Sequence, residues 1–225
     1  MSLLGSAALA MWWDMPSEAM ADFQDWHSHE HFPERLAIPG FRRSTRWIDA
    51  CGGIGVFVLY EVETHATLSS AQYLARLNAP TAWSTRMMPF HHGMVRSQCN
   101  VLASHGGGVG RHAWTLRFAV GVQHAEAVQA GFASLAAKLA GRPGVIGAHL
   151  LRHQATAIAT TTEQKIRNQS DGIAQWAFVA TGYDINALRA LATDALAERM
   201  PGAQIVDQVS GLYSLSHSAV PADVT

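Results

Sequence analysis

Residues 54–62, Ile-Gly-Val-Phe-Val-Leu-Tyr-Glu-Val, decide the fold. Successive side chains of a strand point to opposite faces. Ile54, Val56, Val58, Tyr60 and Val62 therefore share one face, and Phe57 and Leu59 share the other. A sheet with water on one side carries polar residues at alternate positions, and here both faces are apolar. Trp114, Leu116, Phe118 and Val120 repeat the pattern opposite Arg117 and Ala119, as do Trp176 and Phe178 opposite Ala177 and Val179. Helices can cover one face of such a sheet. The other must be covered as well, most economically by a second sheet that closes a barrel.

Outward from this strand, the chain reads as one grammar used twice. In the first half, Leu4 to Trp13 is a strand, and Ser17 is positioned to cap a helix running to about His31. Pro39-Gly40 turns into a strand from Phe41 to Ile48, and Cys51-Gly52-Gly53 is the hairpin before Ile54. Ser69 or Ser70 caps a helix to Leu77, Ala82 to Met88 is a further helix, and Met94 to Leu102 is the last strand.

The second half runs from a strand at Ala113–Gly121 to a helix at Ala125–Leu139 and a strand at Val145–Arg152. A polar insertion, Thr160 to Gly172, precedes the strand Ala174–Thr181, the helix Ile185–Met200 and the strand Ile205–Leu215. Pro39-Gly40-Phe41 is echoed by Pro143-Gly144-Val145, and Arg86-Met87-Met88-Pro89 by Glu198-Arg199-Met200-Pro201. The expected fold is α+β: two tandem ferredoxin-like β-α-β-β-α-β repeats whose antiparallel sheets form an α+β barrel. The glycine-rich stretch Ser104–Arg111 divides a repeat over 1–104 from a diverged one over 111–220.

The bulk properties narrow the function classes. The chain has 225 residues, 48% of them hydrophobic, and a formal net charge of −1. There is no basic excess to suggest nucleic acid, and no run of about 20 apolar residues to suggest a membrane span. The N-terminal stretch lacks the positive start of a signal peptide and reads as a first strand. Cys51 and Cys99 are too few and too far apart for a disulfide framework or a zinc ribbon, so a reducing cytoplasm is the expected compartment.

The order Trp26, then His31-Phe32-Pro33-Glu34-Arg35-Leu36, then Pro39-Gly40-Phe41 resembles the dimeric α+β barrel superfamily, and most closely its EthD-like members. The stretch Ser69–Asn78, followed by Thr81-Ala82-Trp83 and Arg86-Met87-Met88-Pro89, is similar to the second-helix region of the same group. The resemblance covers residues 5 to 102 and implies a fold with its chemistry open. The superfamily includes cofactor-free monooxygenases, haem-degrading enzymes, polyketide cyclases and muconolactone isomerases. The second half shares only the element order and lacks the His-rich helix.

Those histidines support three readings. On a helical wheel centred on Phe23, His27 falls about 40° away, Glu30 about 20° to the other side, His31 about 80° away, and His29 opposite. His27-Ser28-His29-Glu30-His31 matches the H-x-x-E-H zinc pattern, but Pro33 follows at once and no third ligand has a supporting context. In the second reading His27 and Glu30 bond each other or nearby backbone as structural groups. In the third, His31 borders a pocket at the barrel mouth as a general base of near-neutral pKa, with Glu34 or Arg35 beside it in a separate turn after Pro33.

Trp47, Tyr60, Arg86 and His91 are the candidate substrate contacts, with Arg86 and Arg96 able to pair a ligand carboxylate. The expected function is binding of a small apolar or aromatic molecule, with a cofactor-free cyclisation, dehydration, isomerisation or monooxygenation using His31 as base. A non-catalytic binding or oligomerisation module with structural histidines is the competing class, and a haem-binding barrel with an axial histidine is a third. No cofactor or metal is required. A homodimer is one way to close the barrel, and the two halves of one chain are the other.

Overall fold

The structure is a computed structural model that describes residues 3–156, 158–197 and 205–224, with no statement about the side chains of 192–197. Eight antiparallel strands form a closed barrel in the order β1-β3-β2-β8-β5-β7-β6-β4. They are β1 (Ala7–Asp14), β2 (Phe41–Asp49), β3 (Gly55–Val62), β4 (His92–Gly106), β5 (His112–Val120), β6 (Val145–His153), β7 (Trp176–Gly182) and β8 (Ile205–Ala219). The first half contributes the order β4-β1-β3-β2 and the second β8-β5-β7-β6, the split βαβ arrangement twice over. One chain supplies every strand, so closure needs no second copy.

Two long strands make the closure. β4 and β8 have 15 residues each. β4 pairs with β1 over His92–Asn100 and with β6 over Cys99–Gly106. β8 pairs with β5 and, through Tyr213–Ala219, with β2. Ser104 to Gly106, expected in a linker, is therefore the end of β4. The left-handed Gly106 sits so close to Ile146 that a Cβ would lie 1.9 Å from its carbonyl oxygen. The Pro-Gly echo has a backbone cause: Gly40 and Gly144 both take positive φ, +93° and +87°. A Cβ would strike Thr67 at the first and Ala187 at the second. The echo at Glu198–Pro201, and the end of the last helix, lie outside the described residues.

The two faces of the strands divide as the alternation predicts. Val56, Val58, Tyr60 and Val62 pack against the helices of the first half, whereas Phe57 and Leu59 enter the barrel. Trp114, Leu116, Phe118, Trp176 and Phe178 pack under α5 (Ala125–Leu139) and α7 (Ile185–Ala197). Ile54 is the exception, 41% exposed just before β3 begins. Aromatic side chains fill the middle of the barrel. Phe57 stacks between Trp12 and Trp47 at 5.1 and 5.2 Å, with Leu151, Ala177, Val179 and Tyr213 around them.

The helices of the first half carry the main corrections. α1 (Met20–Trp26) has Ala19 at its cap with no side-chain bond, so Ser17 does not cap it. Pro33 does not end the helix. A π-helical turn, His27–His31, leads directly into α2 (Phe32–Leu36), and the Phe32 N–H reaches back five residues to the carbonyl of His27. Pro33 falls in the first turn of α2, where its missing donor costs little. α3 (Ala71–Asn78) and α4 (Ala82–Met87) are capped by the Ser70 and Thr81 hydroxyls. The insertion forms α6 (Thr162–Arg167), capped by Thr161. Among the described residues, no helix is long and apolar enough to cross a membrane.

Candidate functional site

The π-turn decides what the helix presents. By winding one residue more than an α-turn, it keeps His27 and His31 on the sheet side and still brings Arg35 inward, one turn further on. His27, His31 and Arg35 are 1%, 7% and 3% exposed. The His31 ring lies 4.5 Å from Trp26 and stacks on His27 at 5.2 Å. His29 faces solvent.

A cavity opens between this helix and the outer face of the first sheet. Its inner chamber is lined by Leu9, Met11, His31, Arg35, Tyr60, Tyr73 and Leu77, together with Arg96 from β4. The remaining wall comes from the second half of the chain. Ile158, Thr161, Glu163, Gln164 and Arg167, in and beside α6, cover the chamber. The cover is fastened by polar bonds: Arg35 Nη2 donates to Glu163 at 2.5 Å, and the Thr162 N–H donates to Asn78 at 3.0 Å. Gly172 exchanges backbone hydrogen bonds with Met94 and Arg96. Beyond the cover lies an outer groove of about 250 Å3, which shares Arg96, Ile158 and Gln164 with the inner chamber. The inner chamber itself measures about 20 Å3, room for about one water.

A third recess continues inward past His31 to His27, His91, Trp13 and Trp26. His91 Nδ1 lies 3.1 Å from the Met87 carbonyl, and its ring is 5.0 Å from Trp13. His27 Nε2 is 3.4 Å from the Tyr60 hydroxyl. His27 and Glu30 do not pair, because Glu30 accepts from Trp26 Nε1 and Thr81 Oγ1 instead.

Burial sets the protonation states here. His31 is held well below the ordinary imidazole pKa by burial first and by Arg35 next. The expectation of a near-neutral pKa is corrected accordingly. Burial, reinforced by Arg167, pushes His91 down to about 3, and burial with His31 lowers His27. Burial raises the Tyr60 phenol, so it stays protonated. Burial opposes the charge on Arg35, but Glu163, Tyr73 and Tyr60 together outweigh it and keep the guanidinium ionised. The site therefore holds three neutral imidazoles, the neutral Tyr60 phenol and the Arg35–Glu163 ion pair, with Arg96 and Arg167 also in its lining.

Of the residues expected from the sequence, His31, Arg35 and Tyr60 line the inner chamber, and His91 lines the recess behind it. Glu34 is on the same helix but pairs with Arg76 at 3.7 Å, and its carboxyl is raised by burial. Trp47 is inside the barrel, donating to the Gly110 carbonyl at 3.1 Å, on the far side of the sheet. Arg86 is exposed and pairs with Asp22 at 3.3 Å. The chamber lies on the helix-covered face of the sheet; a separate recess of about 110 Å3 at one end of the barrel is lined by Trp12, Asp14, Gly55, Arg117 and Tyr213. Tyr73, Glu163 and Arg167 were not expected. The one sequence signal for the last two is the capping pair Thr161 and Gln164, which marks a helix inside the polar insertion. Among the described residues, no three His, Cys, Asp or Glu side chains converge as a metal site, and both cysteines are free thiols.

Two β-α-β-β-α-β repeats closed into one eight-stranded antiparallel barrel, with a chamber between helix and sheet, define the fold: a ferredoxin-like α+β barrel. Solved structures of this fold include an anthrone oxidase-like protein, 12% identical, with a TM-score of 0.67 over 100% of this chain and 98% of its own. A candidate monooxygenase from Fusobacterium nucleatum is 6% identical, with a TM-score of 0.63 over 97% of this chain and 96% of its own. A haem-binding protein from Thermus thermophilus is 8% identical, with a TM-score of 0.51 over 95% and 92%. Identities this low establish the fold and leave the chemistry to the site. No family model and no curated protein matches the sequence.

The His27, His31 and His91 cluster, as packed here, leaves no room for a haem beside it. The rings of His27, His31 and His91 are wedged among Trp13, Phe23, Trp26 and Phe32 at 4.2 to 6.2 Å between centroids. The recess beside them measures about 20 Å3, which admits a water and not a macrocycle.

Proposed function

We propose that the chain binds a small, largely apolar or aromatic molecule in the chamber between α2 and the first sheet, and acts on it without a cofactor. The observation that carries this reading is the convergence of His31, Arg35, Tyr60 and Tyr73 on one chamber beneath a cover from the other half of the chain. The ligand enters from the outer groove past Ile158 and Gln164, and α6 moves aside to enlarge the inner chamber. Leu9, Met11 and Leu77 supply apolar contact.

His31 is the proton acceptor. Its neutral imidazole is available over the whole physiological range. Its weak basicity is offset when proton removal creates an anion beside it, because the new imidazolium and the anion then stabilise each other in a low-dielectric site. Tyr60, held as a phenol, donates a hydrogen bond to the developing oxyanion. This suits a substrate whose proton lies next to a carbonyl or on a phenol ring. Anthrone is a suitable probe, given the likeness to an anthrone oxidase-like protein. Oxygen uptake and product formation with anthrone are expected for the native chain and lost in His31→Ala. If His31→Ala leaves both ligand binding and turnover intact, the role assigned to His31 is wrong.

A further inference from the structure

Among the described residues, Arg96 is a cation with no anion. It lines both the inner chamber and the outer groove, and its guanidinium donates to the Tyr73 hydroxyl at 2.8 Å. Among the described residues it forms no ion pair. Arg35 and Arg167 each have a carboxylate, Glu163 and Asp171. Even so, Arg35 Nη1 and Arg167 Nε are buried with no hydrogen-bond partner, as is His31 Nδ1. Buried polar atoms nearly always find partners, so three orphans on one cavity call for an acceptor.

The origin of the charges sharpens this. Both carboxylates come from the insertion that covers the chamber. The first half of the chain contributes Arg35, Arg96, His31, Tyr60 and Tyr73, all of them cationic or neutral donors. The fixed wall is thus built to receive negative charge, and with the cover closed Glu163 supplies it.

We propose that the ligand is an aromatic carboxylate, its carboxylate held by Arg96 and the unpartnered Nη1 of Arg35, its ring among Leu9, Met11 and Leu77. This rests on the reading of the chamber as the binding site. A guanidinium recognises a carboxylate through two parallel hydrogen bonds, which a neutral amide cannot reproduce.

Isothermal titration calorimetry at pH 7 with 1-naphthoate and its neutral isostere 1-naphthamide tests this. The expected result is at least about tenfold tighter binding of naphthoate to the native chain. Arg96→Gln, at a half-buried position, should abolish that preference and leave naphthamide affinity unchanged. Equal binding of the two compounds, or an equal loss of both in Arg96→Gln, would overturn the carboxylate assignment and leave the chamber as the site. Absence of binding by either compound would overturn both.

Discussion

Arg35 and Glu163, 128 residues apart in sequence, form a buried ion pair with side chains 4% and 7% exposed. It joins the helix that carries His31 to the insertion from the opposite half of the chain. Both charges have left water, so each depends on the other. Removing one partner of such a pair strands a buried charge and costs about 3–5 kcal/mol, whereas apolar replacement of both is often neutral. Glu163→Ala is therefore expected to lower unfolding stability by about 3 kcal/mol in urea denaturation, and Arg35→Met with Glu163→Leu to recover most of it. A Glu163→Ala protein as stable as the native one would show that the pair is not closed in solution.

The histidine cluster predicts acid sensitivity. In the folded chain His27, His31 and His91 stay neutral, with His91 at about 3. In the unfolded chain each takes up a proton below its ordinary value of about 6.5. Between about pH 6.5 and pH 3 the unfolded state binds more protons, so stability falls as pH falls, by up to about 1.4 kcal/mol per pH unit for each histidine. Thermal unfolding from pH 7 to pH 5 should show Tm dropping steadily. His91→Gln should flatten the slope by about a quarter or less, because His149, also held down to about 4, adds to it. A Tm independent of pH over this range would mean that the cluster is solvated.

The barrel interior is expected to be structural. Phe57 is fully buried between Trp12 and Trp47, and truncating a buried Phe to Ala costs about 3–5 kcal/mol. Phe57→Ala should lose that amount in urea and leave the affinity of the folded protein for a chamber ligand unchanged. A selective loss of ligand affinity would relocate the site to the barrel.

Arg86 provides the surface contrast. Arg86 and Asp22 are 58% and 47% exposed, and exposed ion pairs contribute less than about 1 kcal/mol. Arg86→Ala is expected to change neither stability beyond about 0.5 kcal/mol nor ligand affinity. A clear drop in affinity would return Arg86 to the site.

Much of the fold was legible because one strand states its surroundings twice over. The alternation of Val56, Val58 and Tyr60 with Phe57 and Leu59 reports two covered faces, and the Pro-Gly pairs at 39–40 and 143–144 mark left-handed turns that only glycine fills without strain. The lengths of β4 and β8 were hidden, because Gly106 punctuates a sequence in the same way whether it ends a strand or opens a linker.

The site was legible only in part. His31, Arg35 and Tyr60 lie close enough to the repeat's helix and strand to be placed by periodicity. A period of 3.6 residues cannot announce a π-turn, so Pro33 read as a terminator, although the wider turn carries the helix past it. Glu163 and Arg167 reach the chamber through a tertiary contact across the two halves, and no local pattern encodes that contact. Trp47 shows the converse: a Trp on an apolar strand reads the same whether it packs a barrel or lines a pocket.

We place the ligand site on the helix face of the first sheet, beside His31. The most direct test of this placement is the histidine ring 1H–13C correlation spectrum, recorded while 1-naphthoate and 1-naphthol are added in separate titrations. The account predicts saturable shifts of the His31 and His91 ring signals with at least one of the two, and none for the exposed His29. Binding that leaves His31 and His91 unmoved would contradict it.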